Sequence, residues 1–109
     1  MRLKSRFHRA NAGLNHMTLG LYFAGQYEAA IVMARRTIRS YPDFPHSYRW
    51  LAAAFGQLGR KEEAKEALAK AVAVVPGAFE MHVRNRVPWF RPEDFDHMLE
   101  GLGKAGWKG

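Results

Sequence analysis

The sequence contains no cysteine, which excludes disulfide bonds, thiolate metal sites and cysteine nucleophiles. Long apolar runs are also missing. The basic start, MRLKSRFHRANAGLNHM, lacks the apolar stretch of a secretory signal, and the most apolar segment, 67–75, is too short to cross a membrane. These absences fit a reducing compartment, so we expect a cytoplasmic protein without a membrane association.

Acidic residues are scarce in the first half of the chain. Residues 1–49 hold eight Lys and Arg against two acids, a net charge of +6, whereas residues 50–109 carry a net charge of +1. Four basic residues precede the first acid: Arg2, Lys4, Arg6 and Arg9. Such a positive field favours nucleic acid or acidic partners. The alternative is a solvated basic terminus without a ligand.

A period of 34 residues relates two parts of the chain. The matching landmarks are Gly25 with Gly59, Glu28 with Glu62, Ala30 with Ala64, and Pro42 with Pro76. Apolar residues between these landmarks recur at helical spacing. A 34-residue period of this kind is typical of the tetratricopeptide (TPR) helix-turn-helix repeat. The second part matches its consensus at Tyr48, Leu51, Ala52, Phe55, Ala64, Leu68 and Pro76.

The repeat predicts an all-α fold, an α-α superhelix of two TPR-like hairpins followed by C-terminal capping helices. We expect one domain, 1–109, with four parts: a basic lead-in (1–8), repeat 1 (9–42), repeat 2 (43–77) and a C-terminal cap (78–109). The predicted helices cover about 9–24, 26–40, 44–58, 60–74 and 78–85, and a last one starts at Pro92.

Local signals refine these helices. Asp43 is the expected N-cap of the third helix, because Pro45 falls within its first turn. Met17 and Val72 are expected on buried helix faces. Pro88 and Pro92 predict an extended VPWFRP connection before the last helix, which we expect to close one end of the stack.

No catalytic or cofactor pattern is present. The five histidines lack the spacing of a metal site, no glycine-rich loop precedes a helix, and no nucleophile elbow occurs. We therefore expect a protein that is not an enzyme and binds no metal or cofactor.

Three segments extend the resemblance beyond the repeat: YFAGQYEAAI, RWLAAAFGQLGRKEEAKEALAKAVAVVPG and RPEDFDHMLEGLGKAG. Over residues 16–106 the chain resembles the C-terminal TPR region of bacterial class III adenylate/guanylate cyclases and of related winged-helix regulators. In that family the region closes with a Pro-aromatic segment, here Pro88-Trp89, and an acidic helix with a GLxKAG-like tail. Neither a cyclase nor a winged-helix domain is recognisable in the sequence, so the resemblance implies an accessory signalling module.

In TPR proteins the first helix of each hairpin lines a groove that holds a segment of a partner protein. By position, the groove residues here are Asn15, Leu19, Tyr22, Arg49, Trp50 and Ala53. Trp, Tyr and Arg are enriched at binding hot spots. Alternatively, Tyr22 and Trp50 pack against neighbouring helices. A C-terminal carboxylate ligand is disfavoured, because Asn15, Leu19, His46 and Trp50 occupy the positions that are basic in TPRs of that kind.

The function expected is thus a protein-interaction module that binds a peptide or helix in its groove. A homodimer is also possible, because Leu3, Phe7 and the open face of the first hairpin need a second copy or another domain to cover them. Nucleic-acid binding through the basic N-terminal half is the alternative function, and Arg2, Lys4, Arg6 and Arg9 would carry it.

Overall fold

The computed structural model describes residues 2–74, 77–84 and 91–109, with residues 2–12 described by their backbone alone. In these residues the chain forms six α-helices and no β-strand. The helices are α1 Arg2–Phe23, α2 Tyr27–Ser40, α3 Pro45–Gln57, α4 Lys61–Ala73, α5 Ala78–Arg84 and α6 Pro92–Lys104. The all-α, TPR-like fold expected from the 34-residue period is confirmed.

Helix α3 is the centre of the molecule. It packs against α1, α2, α4, α5 and α6, and every residue from Ser47 to Gly56 is buried. A helix that is buried on all sides must be apolar or small around its whole circumference, and the segment LAAAF meets this condition. Ala52 of α3 and Ala64 of α4 are fully buried, and the two helices pack against each other.

The turns within the two hairpins have the same geometry. Gly25 and Gly59 adopt φ values of +77° and +73°, which a residue without Cβ adopts without strain. In the first turn, the amides of Gly25 and Gln26 donate to the carbonyls of Tyr22 and Leu21. The same two bonds recur 34 residues later. This Schellman motif ends the first helix of each hairpin, so the sequence period is also a structural one.

Two predicted helix starts differ from the structure. Helix α1 begins at Arg2 instead of near Arg9, because residues 2–8 contain no proline or glycine that would stop a helix. The N-cap of α3 is Phe44 instead of Asp43, and no side chain caps this helix. Phe44 precedes Pro45, which keeps it in an extended conformation (φ −82°, ψ 107°) and moves the boundary by one residue.

The expected burial of Met17 and Val72 is wrong. The Met17 side chain is 53% exposed, because it lies on the face of α1 that has no neighbouring hairpin among the described residues. Val72 is 48% exposed, because α4 contacts the core through its alanines instead. Tyr48 and Phe55 are buried as expected. The predicted extended connection, including Pro88-Trp89, lies outside the described residues.

The two C-terminal helices take different positions. Helix α5 contacts both α3 and α4 and thereby extends the stack, whereas α6 packs mainly on α3. Helix α6 therefore lies on the face formed by the first helices of the two hairpins, which we call the α1/α3 face. The apolar stripe of α6 covers the side of α3 that the partner groove was expected to occupy, and closure of one end of the stack by the last helix stays a prediction.

Candidate partner-binding face

Helices α3 and α6 approach each other so closely that two glycines are needed at the crossing. A Cβ at Gly56 would overlap the carbonyl oxygen of Gly101 and lie 2.9 Å from the Ala105 nitrogen. A Cβ at Gly101 would overlap the Tyr22 hydroxyl and lie 2.6 Å from the Ala53 carbonyl oxygen. Ordinary van der Waals contact for such a carbon is 3.4–4 Å. The backbones thus touch directly.

A polar network borders this crossing. The Tyr22 hydroxyl donates to the carbonyl oxygen of His97 and accepts a bond of 3.1 Å from Gln57 Nε2. The same Gln57 nitrogen lies 3.0 Å from Glu100 Oε1, and Gln57 Oε1 accepts from Lys104 Nζ at 3.0 Å. Burial raises the pKa of Tyr22 far above its ordinary value of 10, so the hydroxyl stays protonated and continues to donate its hydrogen bond. The network joins α1, α3 and α6.

An aromatic cluster forms the inner part of the α1/α3 face. The Tyr22 ring lies 5.4 Å from the Trp50 ring and 4.5 Å from the His97 ring, centroid to centroid. Phe23 meets Trp50 edge to face at 5.4 Å, and Tyr27 Oη lies 2.7 Å from His97 Nε2. His97 is therefore the α6 residue that contacts both helices of the first hairpin.

The six predicted groove residues fall into two groups. Tyr22, Trp50 and Ala53 have no exposed surface. Tyr22 and Ala53 contact α6 directly, and Trp50 packs against Tyr22 and Phe23. Tyr22 and Trp50 pack against neighbouring helices, as in the alternative given above, and neither side chain reaches solvent while α6 is bound. Partner binding through these residues stays a prediction.

The remaining three groove residues line a pocket beside α6. Asn15 and Leu19 are half-buried, and Arg49 is 5% exposed. The pocket has a volume of about 510 Å³ and is bounded by α1, α3, α5 and α6. It is lined by Asn15, His16, Leu19, Phe23, His46, Arg49, His82, Asp94, Phe95 and Met98.

The Arg49 guanidinium is the most unusual group in this pocket. Its Nη1 donates to His46 Nδ1 at 2.9 Å, and its Cζ lies 5.3 Å from the centre of the Trp50 ring. Its Nε has no hydrogen-bond partner among the described residues. Burial alone lowers the pKa of Arg49 to about 10, so the group remains charged near neutral pH.

Two histidines stand next to this charge. Burial, followed by the positive charge of Arg49, lowers the pKa of His46 to about 3. Burial likewise lowers the pKa of His82, whose Nδ1 donates to the Ala78 carbonyl oxygen at 2.8 Å. The two rings pack edge to face at 4.3 Å. Both imidazoles are therefore neutral near pH 7, and Arg49 is the full positive charge of this group.

Sequence reasoning missed the α6 side of the site. The spacing of Phe95 and Met98 in the sequence indicates an apolar stripe on the last helix, but it does not indicate which helix this stripe covers. His97 and Gly101 were not singled out as contacts of the α1/α3 face. The signal that could have found them is the pair of helix-interior glycines, Gly56 and Gly101, because such glycines destabilise a helix unless another backbone approaches.

The described part of the chain contains no group of three or more His, Asp or Glu side chains that could hold a metal ion. None of the helices in residues 2–74, 77–84 and 91–109 has the length and apolar character of a membrane-spanning helix.

Comparison with known families gives a match on the second hairpin. Residues 47–78 match the tetratricopeptide repeat family. The match covers α3 from Ser47, the whole of α4 and the first residue of α5, and it supports a TPR-type protein. TPR repeats generally mediate protein interactions, and their fold is typically non-catalytic. Comparison with curated proteins and with solved structures gave no match.

Proposed function

We propose that this chain is a non-catalytic TPR-type module that binds a helical segment of a partner protein on its α1/α3 face. The observation that carries the proposal is the chain's own helix α6, which occupies this face. An amphipathic helix that lays its apolar side into a groove is a recurring recognition mode. Here Phe95 and Met98 are the buried apolar groups of that helix, and Gly101 allows close backbone approach.

Two modes of binding are compatible with this face. A partner helix that uses all six groove residues must take the place of α6, because α6 covers Tyr22 and Ala53. Of the six groove residues, Asn15 and Leu19 are the two that are more than slightly exposed, so a partner that leaves α6 in place would contact these two. The first mode fits the shape of the face better, because the face already accommodates a helix, α6, at the glycine crossing and against the aromatic cluster.

A probe for the face is a fluorescent peptide with the sequence of residues 91–107. The full chain carrying Gly101→Ala should bind it more tightly than the wild type, because a Cβ at this position pushes the chain's own helix away from Ala53. Gly103→Ala is the matched control, since a Cβ there meets no atom within 4 Å. Fluorescence anisotropy measures both affinities. If the two variants bind the peptide equally weakly, the face does not exchange helices and the proposal fails.

Replacement of Trp50 is not a suitable binding test. The side chain is fully buried, and truncation of such a residue to alanine typically costs about 3–5 kcal/mol of stability. Loss of binding in Trp50→Ala would then report unfolding.

The resemblance of residues 16–106 to cyclase-associated TPR regions supports a finer proposal, in which the module is an accessory or regulatory part of a cyclase-type bacterial signalling protein. It predicts association with a nucleotide cyclase catalytic domain. Affinity capture with the wild type and the Gly101→Ala variant, followed by quantitative mass spectrometry, tests it. Enrichment of other proteins without a cyclase would contradict the signalling assignment and leave the helix-binding proposal unaffected.

A homodimer is a further proposal, supported by two exposed apolar side chains of the first hairpin. Met17 and Val32 are 53% and 65% exposed, respectively. Burial of these side chains against a second copy would be favourable. Sedimentation equilibrium of the wild type and a Met17→Lys, Val32→Lys variant compares the association constants. A wild type that stays monomeric at high micromolar concentration would contradict the dimer.

Nucleic-acid binding is the second candidate function, and the net charge of +7 favours it. Arg36 and Arg39 on α2 are exposed and form no ion pair with the described residues. Binding should weaken steeply with salt, with a slope of roughly −0.7 to −0.9 per phosphate contact. Neutralisation of Arg2, Lys4, Arg6 and Arg9 should reduce that slope if the N-terminal part carries the function. Affinity independent of salt would refute this candidate.

A further inference from the structure

The pocket beside α6 combines apolar surface with the charge of Arg49, which forms no ion pair within residues 2–74, 77–84 and 91–109. Its volume of about 510 Å³ lies within the range of roughly 300–1,000 Å³ typical of small-molecule sites. Leu19, Phe23, Phe95 and Met98 supply apolar surface, while the polar lining residues are Asn15, His16, His46, Arg49, His82 and Asp94. Asn15 and Arg49 each carry an atom without a hydrogen-bond partner among the described residues, so they are the groups that can orient a ligand.

The charge of Arg49 has no counter-ion among the described residues. It takes part in none of their ion pairs, and burial is the cause of its lowered pKa, with no contribution from a nearby carboxylate. The pocket carboxylate, Asp94, is engaged elsewhere, because Arg91 donates to its two oxygens at 2.9 and 3.1 Å. A buried charge without a partner is costly, so the site is more favourable when an anion is present.

Two neighbouring groups define what else the anion needs. His46 Nδ1 accepts a hydrogen bond from Arg49 Nη1, and a neutral imidazole cannot compensate the positive charge. Asn15 Oδ1 is buried and accepts no hydrogen bond from the described residues. It is an acceptor that would be satisfied by a hydroxyl or amine of a ligand.

We propose that this pocket binds a small organic monoanion: a carboxylate on an apolar body that also carries a hydroxyl donor. The carboxylate neutralises Arg49, the donor bonds to Asn15 Oδ1, and the apolar body contacts Leu19 and Phe95. A carboxylate suits the site because a guanidinium presents parallel N–H groups to a planar pair of oxygens. A single full positive charge matches a monoanion better than a phosphate dianion, which would remain partly unpaired on apolar walls.

Mandelate is a probe with these three features: a carboxylate, a hydroxyl and a phenyl ring. Titration into the ¹⁵N-labelled full chain at constant ionic strength should shift the Arg49 Nε–Hε resonance and the amides of α3 and α6 with a single saturable affinity. Mandelamide, the neutral isostere, should bind at least about tenfold more weakly, because it lacks the charge that pairs with the guanidinium. Phenylacetate, which lacks the hydroxyl, should fall between them.

Arg49→Met retains the length of the side chain and removes its charge, and it should lower mandelate affinity at least about tenfold. Arg36→Met is the matched control at an exposed position and should leave the affinity unchanged. Equal binding of mandelate and mandelamide, or unchanged mandelate binding by Arg49→Met, would overturn the proposal. If Arg49→Met does not fold, the comparison of mandelate with mandelamide on the wild type decides.

Two further titrations distinguish other ligands. Tighter binding of inorganic phosphate than of mandelate would overturn the assignment of a carboxylate. Tighter binding of a short peptide through its terminal carboxylate, tested against its C-terminal amide, would overturn the assignment of a small molecule. Absence of saturable binding of every probe into the millimolar range would show that the Arg49 charge is tolerated without an anion.

Discussion

Replacement of Gly101 by alanine tests whether α6 is held on α3 by direct backbone contact. Alanine is favoured over glycine inside a helix by about 1 kcal/mol, so helix propensity alone predicts a more stable protein. In the structure, however, the new Cβ would lie 2.6 Å from the Ala53 carbonyl oxygen and 3.0 Å from the Ala53 Cβ. The oxygen belongs to the backbone of the central helix and cannot rotate away, so α6 has to move outward by almost 1 Å to restore ordinary contact.

That movement has two costs. Overpacking of a well-packed contact typically costs about 1–3 kcal/mol. The hydrogen bond from the Tyr22 hydroxyl to the His97 carbonyl lengthens as well, and such a bond contributes about 0.5–1.5 kcal/mol. After the gain in propensity, we expect Gly101→Ala to lower the free energy of unfolding by about 0.5–3.5 kcal/mol. Gly103→Ala should raise it by about 0.5–1 kcal/mol, because its Cβ meets no neighbour within 4 Å.

Urea denaturation followed by circular dichroism measures both values, and thermal unfolding gives a second reading. For a domain of this size, 1 kcal/mol corresponds to a change in Tm of about 4–8 °C. The sign of the difference is decisive: if Gly101→Ala is as stable as Gly103→Ala, the close crossing of α3 and α6 is wrong, and with it the coverage of the α1/α3 face.

Three further predictions concern pH, a hydrogen bond and a turn. The folded-state pKa of His46, about 3, is below its unfolded value near 6.5, so the unfolded state binds the proton first and stability falls as pH decreases from 6.5 towards 3. Between pH 7 and pH 5 this group should lower the free energy of unfolding by about 2 kcal/mol, which urea denaturation measures. His46→Gln should lose most of this pH dependence, and a variant as sensitive to pH as the wild type would contradict the burial of the imidazole. Tyr27→Phe should lower the free energy of unfolding by about 0.5–1.5 kcal/mol, because the 2.7 Å contact with His97 Nε2 is lost. If Tyr27→Phe costs as much in a His97→Gln background, that contact is not the cause. Gly59→Ala should destabilise by about 1–2 kcal/mol because φ is +73°, whereas Gly20→Ala, inside α1 with no atom within 4 Å of a Cβ, should stabilise; equal thermal shifts would argue against the left-handed turn.

The hairpins could be predicted from the sequence because their signals are local. Gly25 and Gly59 lie where the turn requires a left-handed backbone conformation with positive φ. The alanines and prolines at the same spacing mark the helix crossing and the helix end. Helix starts were less certain, since Phe44 owes its extended conformation to the proline that follows it.

The position of α6 could not be predicted because it depends on contacts between distant parts of the chain. Gly56 and Gly101 lie 45 residues apart, and each on its own resembles an ordinary flexible helix residue. The same limitation applies to Arg49. Its position in the repeat predicts that it lies on the groove side of α3, but its burial also depends on α5 and α6, which complete the pocket around it.

The contact between α3 and α6 also changes how this molecule should unfold. In a repeat array each unit touches only its neighbours, so hairpins can open one at a time from an end. Here the final helix returns to α3 in the middle of the chain, and α3 in turn contacts the helices of both hairpins. We therefore expect loss of the protein's structure as a single cooperative event, with amide protons of α3 exchanging last and at the rate of global opening.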